Sequence, residues 1–352
     1  MKALVLENNA TMCVRERPVP VPGEGEVLVK IHACGVCGSD IGRILYGSAY
    51  HYPLVPGHEF AGTVAKMGPG VGKIHEGDPV TVFPMLPCGH CDDCQAGRYN
   101  LCRHYDYFGS RRDGGFSEYV VVPQWNLVPL PENLPLEIAA MCEPVAVALH
   151  AIKRGMVQVG DSVGVAGMGP IGLILTRLAK LAGASQVIAW DIDPEKIAFS
   201  KKMGNECTLD AAKGPIGAEV ERLLGRQLDV IIEGTGSSGG LEACIGALKN
   251  HGRLVAMGNP GGDIHLSKTA YSSILRREIT LSGTWNSDHL QGIRDDWETV
   301  VHMLTQDQDW FGQLISHRFP LEDGIKPLEM MAARKTFFCK VLYVMGLEGE
   351  AC

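Results

Sequence analysis

Four thiols crowd into one short stretch, Cys88-Gly-His-Cys91-Asp-Asp-Cys94 and then Cys102 after seven further residues. Two-residue gaps let successive sulfurs converge on one ion, and the longer gap lets the loop return with the fourth. Such a set closes a tetrahedral zinc site and leaves no position for a substrate, so its expected role is structural. An iron–sulfur cluster is the rival metal, since it also takes four cysteines. Disulfides are the third reading, and the uneven crowding of the cysteines in a long chain with no secretory signature argues against them. His90, between two ligands, reads as a surface residue.

A second group of donors is scattered over three turn-rich segments: Cys34-Gly-Val-Cys37-Gly-Ser39-Asp40, Gly57-His58-Glu59-Phe60 and Cys142-Glu143-Pro144. One thiolate, one imidazole and one carboxylate would make a mixed site with room for water or an alcohol oxygen, as catalytic zinc requires. Taken singly, each segment also fits an inert buried cysteine or a surface pair. Spacing alone does not bring the three together.

The third motif is Gly167-Met-Gly169-Pro170-Ile171-Gly172, between an apolar run and a helix-forming one. Gly167 suits a tight turn, Gly169 a close approach of backbone to a pyrophosphate, and Gly172 close packing of helix on strand. Pro170 fits the first helical turn, whose free N–H groups favour an anion. Asp191 ends the next apolar run, nineteen residues after Gly172. A carboxylate there can accept ribose hydroxyls and repels the extra phosphate of NADP, so NAD is the expected cofactor. Asp193, before Pro194, reads as a helix N-cap. Lys196 reads either as a cofactor contact or as an exposed lysine.

These motifs need elements to hold them. The first part of the chain is β-rich, with alternation in Glu26–His32 and turn glycines at 57, 62, 68, 70 and 72. Ala139–Ala151 is helix-compatible apart from Pro144. Apolar runs follow at 163–166, 186–190, 206–209, 229–233, 253–257 and 279–283, with helix-like stretches at 170–182, 194–203 and 216–224. This rhythm predicts an α/β fold with a doubly wound parallel sheet. After about residue 290 come an amphipathic stretch, Asp295–Leu304, and a strand-like Lys340–Val344. The expected organisation is a first domain of residues 1–152 and 291–352, with a dinucleotide-binding domain of 153–290 inserted into it. A net charge of −8 leaves no basic footprint for nucleic acid. No uncharged stretch is long and apolar enough for a membrane span. The N-terminus lacks the apolar region of a signal peptide, and the last residue, Cys352, is not placed as in a prenylation box. A soluble cytoplasmic protein is expected.

Gly35-Val-Cys37-Gly-Ser-Asp40, Gly57-His-Glu59, the four-cysteine loop, Cys142-Glu143-Pro144 and the glycine loop occur in an order that resembles the zinc-dependent medium-chain dehydrogenase/reductase family over essentially the whole chain. Within it the chain is similar to the sorbitol and polyol branch. The stretches Tyr105–Tyr119, Ile274–Glu278 and Gly283–Trp285 look most like members acting on galactitol 1-phosphate. The resemblance implies a β-rich GroES-like catalytic domain plus an inserted Rossmann domain. It also implies two zincs per chain and NAD. It makes Cys37, His58 and Glu143 catalytic zinc ligands, with Glu59 beside the metal as an exchangeable or outer carboxylate. Cys88, Cys91, Cys94 and Cys102 would hold the structural zinc, and Ser39 would pass a proton outward. Cys34 and Cys142 are left as packing residues. After the Cys-Gly-Ser-Asp motif, Gly42 and Arg43 replace the histidine and tyrosine of sorbitol dehydrogenases. That removes a histidine relay and supplies a guanidinium fork suited to phosphate, to which Arg111 or Arg112 would add.

The expected reaction is oxidation of a secondary alcohol of a sugar-alcohol phosphate, with galactitol 1-phosphate going to tagatose 6-phosphate. Arabitol phosphate, sorbitol, xylitol and threonine-type amino alcohols are the alternative substrates, and a non-catalytic dinucleotide-binding relative is the distant alternative. The resemblance further implies a homodimer or homotetramer.

Overall fold

The alternating Glu26–His32 stretch opens an eleven-residue strand, Glu26–Val36, whose last four residues are all buried. A strand buried on both faces needs neighbours on both sides. Three strands pair with it antiparallel: Glu59–Met67, Tyr119–Pro123 and Lys340–Val344. The sheet continues outward through Pro79–Val82 and Leu127–Pro129 on one side and Ile315–Phe319 on the other. Its core joins the apolar faces of these strands to Phe60, Phe108, Phe116 and Tyr343. The register sets Gly35 opposite Glu59 and Leu342 opposite Gly35. Residues from three distant parts of the sequence thus meet at one end of the central strand.

The computed structural model describes residues 1–290 and 295–347. Cys352 and the interval 291–294 lie outside the described residues. The chain divides into one unit of Met1–Pro144 with Asp288–Cys352 and a second of Val145–Ser287. The division falls inside the helix Cys142–Arg154, because the helical pattern that set the expected boundary at 152 runs on past the point where the second unit begins. Among the described residues no helix is long and apolar enough to cross a membrane.

The second unit carries six parallel strands. Their spatial order is Thr208–Asp210, Gln186–Asp191, Ser162–Ala166, Leu228–Glu233, Leu248–Ala256 and Thr280–Gly283. Numbered along the chain this is 3-2-1-4-5-6, the doubly wound order with its switch point beside the Ser162–Ala166 strand. Helices Pro170–Leu181, Pro194–Lys202 and Ile216–Leu224 coincide with the expected stretches. At the C-terminal end of the chain, Asp295 caps the helix Asp296–Gln306 by accepting the Glu298 N–H, and Lys340–Val344 is a fully buried strand.

A buried carboxylate ties two strands at the start of this parallel sheet. Asp229 Oδ2 accepts from the backbone N–H of Ser162 at 2.8 Å and from its hydroxyl at 2.6 Å, while Lys249 pairs with Oδ1. Burial pushes this carboxyl up, but the hydrogen bonds from Lys249 and Ser162 outweigh it and hold the group well below its ordinary value. A depressed carboxyl stabilises the fold above its unfolded value of about 4, and that stability is lost as pH falls through the folded value. Asp229→Asn should therefore cost on the order of 2 kcal/mol at pH 7. The gap from the unmutated protein should close progressively below about pH 4, as read by denaturant unfolding across pH.

Candidate metal and dinucleotide sites

Cys37 follows the central strand and caps the helix Gly38–Leu45. Its sulfur accepts from the backbone N–H of Asp40, whose carboxylate accepts in return from the Cys37 N–H at 3.0 Å. This reciprocal cap fixes the thiol at the sheet end. His58 and Glu59 stand at the start of the neighbouring strand, both buried. One donor atom each from Cys37, His58 and Glu59 lies within 4.8 Å of the others. The sheet register is what brings them together.

Glu143 lies in the first turn of the Cys142–Arg154 helix, buried, and accepts from the Tyr107 hydroxyl at 3.2 Å. It stands outside the tight Cys37–His58–Glu59 group. Tyr107 also places its ring edge against the His58 ring, 5.7 Å between centroids. Glu59 thus lies in the tight group itself, and Glu143 stands beside it under a tyrosine hydroxyl.

The electrostatics are those of crowded anions. Burial pushes the Cys37 thiol up to about 11, and the Glu59 and Asp40 carboxylates add to the rise. Burial likewise lifts the Glu143 carboxyl to about 8, partly offset by His58. Lys340 is the compensating cation. Burial works to lower it, yet Glu59 and Cys37 raise it more, so it stays charged and pairs with Glu59. Its ammonium also donates to the Val36 carbonyl at 3.4 Å. The pair occupies space that only a glycine leaves open, because a Cβ on Gly35 would stand 2.1 Å from Glu59 Oε2 and 2.7 Å from Lys340 Cε. His58 Nδ1 is buried without a hydrogen-bond partner, with Asp40 Oδ1 3.7 Å away. A thiol, an imidazole and a carboxylate gathered around an excess of buried negative charge fit zinc.

The four-cysteine loop is compact. Sγ atoms of Cys88 and Cys94, and of Cys91 and Cys102, are each 3.9 Å apart, and all four cysteines are free of disulfides. Zinc–sulfur bonds of about 2.3 Å place tetrahedral ligands at nearly this spacing. Backbone N–H groups, that of Cys94 first, hold the Cys91 thiol below its ordinary value, favouring thiolate. His90 is exposed and its ring faces the Cys88 carbonyl. Cys34 and Cys142 are fully buried, as packing residues should be.

In the glycine loop, Gly167 has φ +93°, and a Cβ on Gly172 would stand 1.8 Å from the Gly167 carbonyl oxygen. Gly169 meets nothing within 4 Å in the direction of a Cβ and precedes Pro170, the first residue of a twelve-residue helix. Ile171 follows in that first turn. This open backbone at a helix N-terminus fits a pyrophosphate. Asp191 closes its strand and accepts from the backbone N–H groups of Met168 at 2.6 Å, Ile192 at 2.7 Å and Asp193 at 2.9 Å. A carboxylate offers about four acceptor positions, so one remains for a ribose hydroxyl. Asp193 caps the next helix through the N–H groups of Glu195 and Lys196, and the Lys196 side chain is half-buried.

Other expected residues are placed differently from a free binding set. Ser39 is exposed, its hydroxyl in hydrogen-bonding contact with the Cys37 sulfur. Arg43 forms an ion pair with Asp40 and is largely covered. Arg112 faces Asp106 at 3.3 Å. Arg111 lies over the rings of Tyr50 and Tyr105. Asp40, Tyr107 and Lys340 were not singled out from the sequence, although the i,i+3 spacing of Asp40 and Arg43 was a readable signal.

The chain matches the alcohol dehydrogenase GroES-like domain over residues 23–132 and the zinc-binding dehydrogenase domain over 170–306. It belongs to the zinc-binding dehydrogenase family of alcohol dehydrogenases. Within that family it is an oxidoreductase of the alcohol and polyol type. It is 37% identical to galactitol 1-phosphate 5-dehydrogenase of Escherichia coli strain K12, covering 98% of this chain and 100% of that one. It is 32% identical to human sorbitol dehydrogenase, over 93% and 91% of the two chains. Among solved structures, galactitol-1-phosphate dehydrogenase from Escherichia coli superposes with a TM-score of 0.91 at 35% identity, covering 98% and 100%. A zinc-binding dehydrogenase from Sinorhizobium meliloti, bound to NADP, superposes at 0.87 with 30% identity, covering 97% and 98%.

Removing one thiol tests the loop. Cys94→Ser should lower the zinc content from about two to about one per chain and depress the melting temperature. Metal analysis after gel filtration, followed by a thermal melt, reads both.

Proposed function

We propose that this chain oxidises the secondary hydroxyl of a sugar-alcohol phosphate to the ketose phosphate, galactitol 1-phosphate to tagatose 6-phosphate, with NAD as acceptor. The observation that carries the chemistry is the buried Cys37–His58–Glu59 group with Glu143 beside it. The substrate follows from the full-length similarity to the Escherichia coli galactitol 1-phosphate enzyme. Cys37, His58 and a carboxylate, Glu59 or Glu143, would hold the catalytic zinc, and Cys88, Cys91, Cys94 and Cys102 the structural one. When bound, the catalytic zinc supplies a Lewis acid that makes the substrate hydroxyl more acidic.

Oxidation removes a proton from oxygen and a hydride from carbon. The chain's own groups handle the proton. Ser39, exposed beside Cys37, takes it from the substrate hydroxyl and passes it to solvent. Asp40 Oδ1, 3.7 Å from His58 Nδ1, places a negative charge beside that imidazole. Tyr107 donates to Glu143 and sets the direction of its carboxylate. Lys340 pairs with Glu59 inside the sheet and fixes the place of its carboxylate. Gly167, Gly169, Pro170, Ile171 and Gly172 would hold NAD, which would supply the hydride acceptor. Asp191, with Lys196 nearby, would receive the adenosine ribose.

The protein acts in the cytoplasm on this reading, where the four thiols stay reduced. It acts as a homo-oligomer: the Thr280–Gly283 strand ends the parallel sheet, and Leu281 and Trp285 are half exposed along it.

The test compares kcat/KM for galactitol 1-phosphate and galactitol with zinc-loaded protein and NAD. A preference of roughly tenfold or more for the phosphate ester supports the reading. Equal rates, or turnover of sorbitol or xylitol alone, would remove the phosphorylated substrate and leave a polyol dehydrogenase. The cofactor is read in the same assay. NAD should be used better than NADP, and Asp191→Ser should narrow that difference roughly tenfold or more by removing the charge that repels the 2′-phosphate.

A further inference from the structure

Arg111 is held unlike the arginines around it. Arg43 and Arg112 each face a carboxylate, Asp40 and Asp106. Among the described residues Arg111 faces none within ion-pair distance. Its guanidinium carbon instead lies 4.6 Å from the centroid of the Tyr50 ring and 4.2 Å from that of Tyr105. One terminal nitrogen donates to the Tyr105 carbonyl at 3.0 Å, while Nε is buried with no hydrogen-bond partner. The His51 ring meets the Arg111 carbonyl at 3.0 Å, fastening the two loops together. Tyr50 itself is 63% exposed, so the cluster opens to solvent.

Rings against a guanidinium face cover the cation, and its in-plane N–H groups beyond those given to the Tyr105 carbonyl and the Tyr50 side chain remain for a ligand. Those groups form a fork matched to two oxygens of a phosphate. Aromatic contact on the faces also favours a planar cation over an ammonium, which has no face to stack. The cluster is joined to the metal group by ring contacts. Tyr105 packs edge-on to Tyr107 at 6.1 Å, and Tyr107 packs against His58 at 5.7 Å. A continuous run of ring contacts therefore connects Arg111 to the His58 side of the metal group.

We infer that Arg111, stacked on Tyr50 and Tyr105, is the subsite for the terminal phosphate of the substrate and sets the preference for phosphorylated over free polyols. The inference rests on the phosphorylated-substrate reading above and assigns the phosphate to one of the three arginines considered from the sequence. Arg43 does not serve, because its charge is taken up by the buried Asp40 carboxylate.

The experiment uses the zinc-loaded enzyme and its Arg111→Gln and Arg111→Lys variants, with galactitol 1-phosphate, galactitol and inorganic phosphate as probes. In Arg111→Gln, the ratio of kcat/KM for the phosphate ester to that for galactitol should fall roughly 10- to 100-fold, the range of a lost charge-assisted hydrogen bond. The loss should appear mainly as a raised KM for the ester, with weaker competitive inhibition by inorganic phosphate. Arg111→Lys, which keeps the charge without the fork, should recover only part of the ratio. Melting temperatures and zinc contents matching the parent protein show that the variants are folded. Should they not match, Tyr50→Ala, a change at an exposed ring, gives the same reading through a smaller fall in the ratio. A parent enzyme with no preference for the ester overturns both the substrate reading and the subsite. A parent that prefers the ester, with variants that keep the full preference, overturns the subsite alone.

Discussion

A lysine and a glutamate buried together inside a sheet hold the first unit's chemistry in place. Lys340 and Glu59 come from strands on opposite sides of Glu26–Val36, and they meet across the space left by Gly35. Each ion alone would be costly to bury, and breaking such a pair by removing one partner typically costs about 3–5 kcal/mol. The pairing therefore selects the register of three strands at once. A one-residue slip of either flanking strand would separate the charges and turn His58 away from Cys37.

That same pair decides the electrical state of the metal group. Cys37, Glu59 and Glu143 are all anions when ionised, and burial raises the Cys37 and Glu143 groups. Lys340 supplies one positive charge, which is too few for three acids. Neighbouring acids add to the effect of burial on both groups. A divalent cation among these donors would meet that imbalance directly, and metal binding would release protons from the thiol. Stability and metal affinity are consequently two views of one charge balance.

Much of the second unit was legible in the sequence, since its strands and helices follow short-range hydrophobic rhythm with glycines at the turns. Gly167, Gly169 and Gly172 announced their roles because each meets a local steric demand. The metal group was legible only as separated ligand types, and the family resemblance joined them. What brings Cys37, His58 and Glu59 together is sheet register, which is written across the whole first unit. Lys340 was hidden for a related reason: at the start of Lys340–Val344 a lysine reads as an exposed strand end. Tyr107 was invisible as a partner of Glu143, because nothing local to either residue specifies the other. The pairing of Arg43 with Asp40, one helical turn earlier, was readable from their spacing.

The partner that completes the metal group arrives late. Lys340 lies 304 residues beyond the Val36 carbonyl to which it donates. During synthesis the Glu26–Val36 and Glu59–Met67 strands emerge long before it, with Glu59 and Cys37 facing an unfilled edge. The parallel sheet between them is contiguous in sequence and can form first, since domains generally fold as units. The final strand then closes the first unit by adding both its hydrogen bonds and its charge. On the ribosome, nascent chains halted before residue 340 carry every zinc ligand named above and lack the cation that balances them.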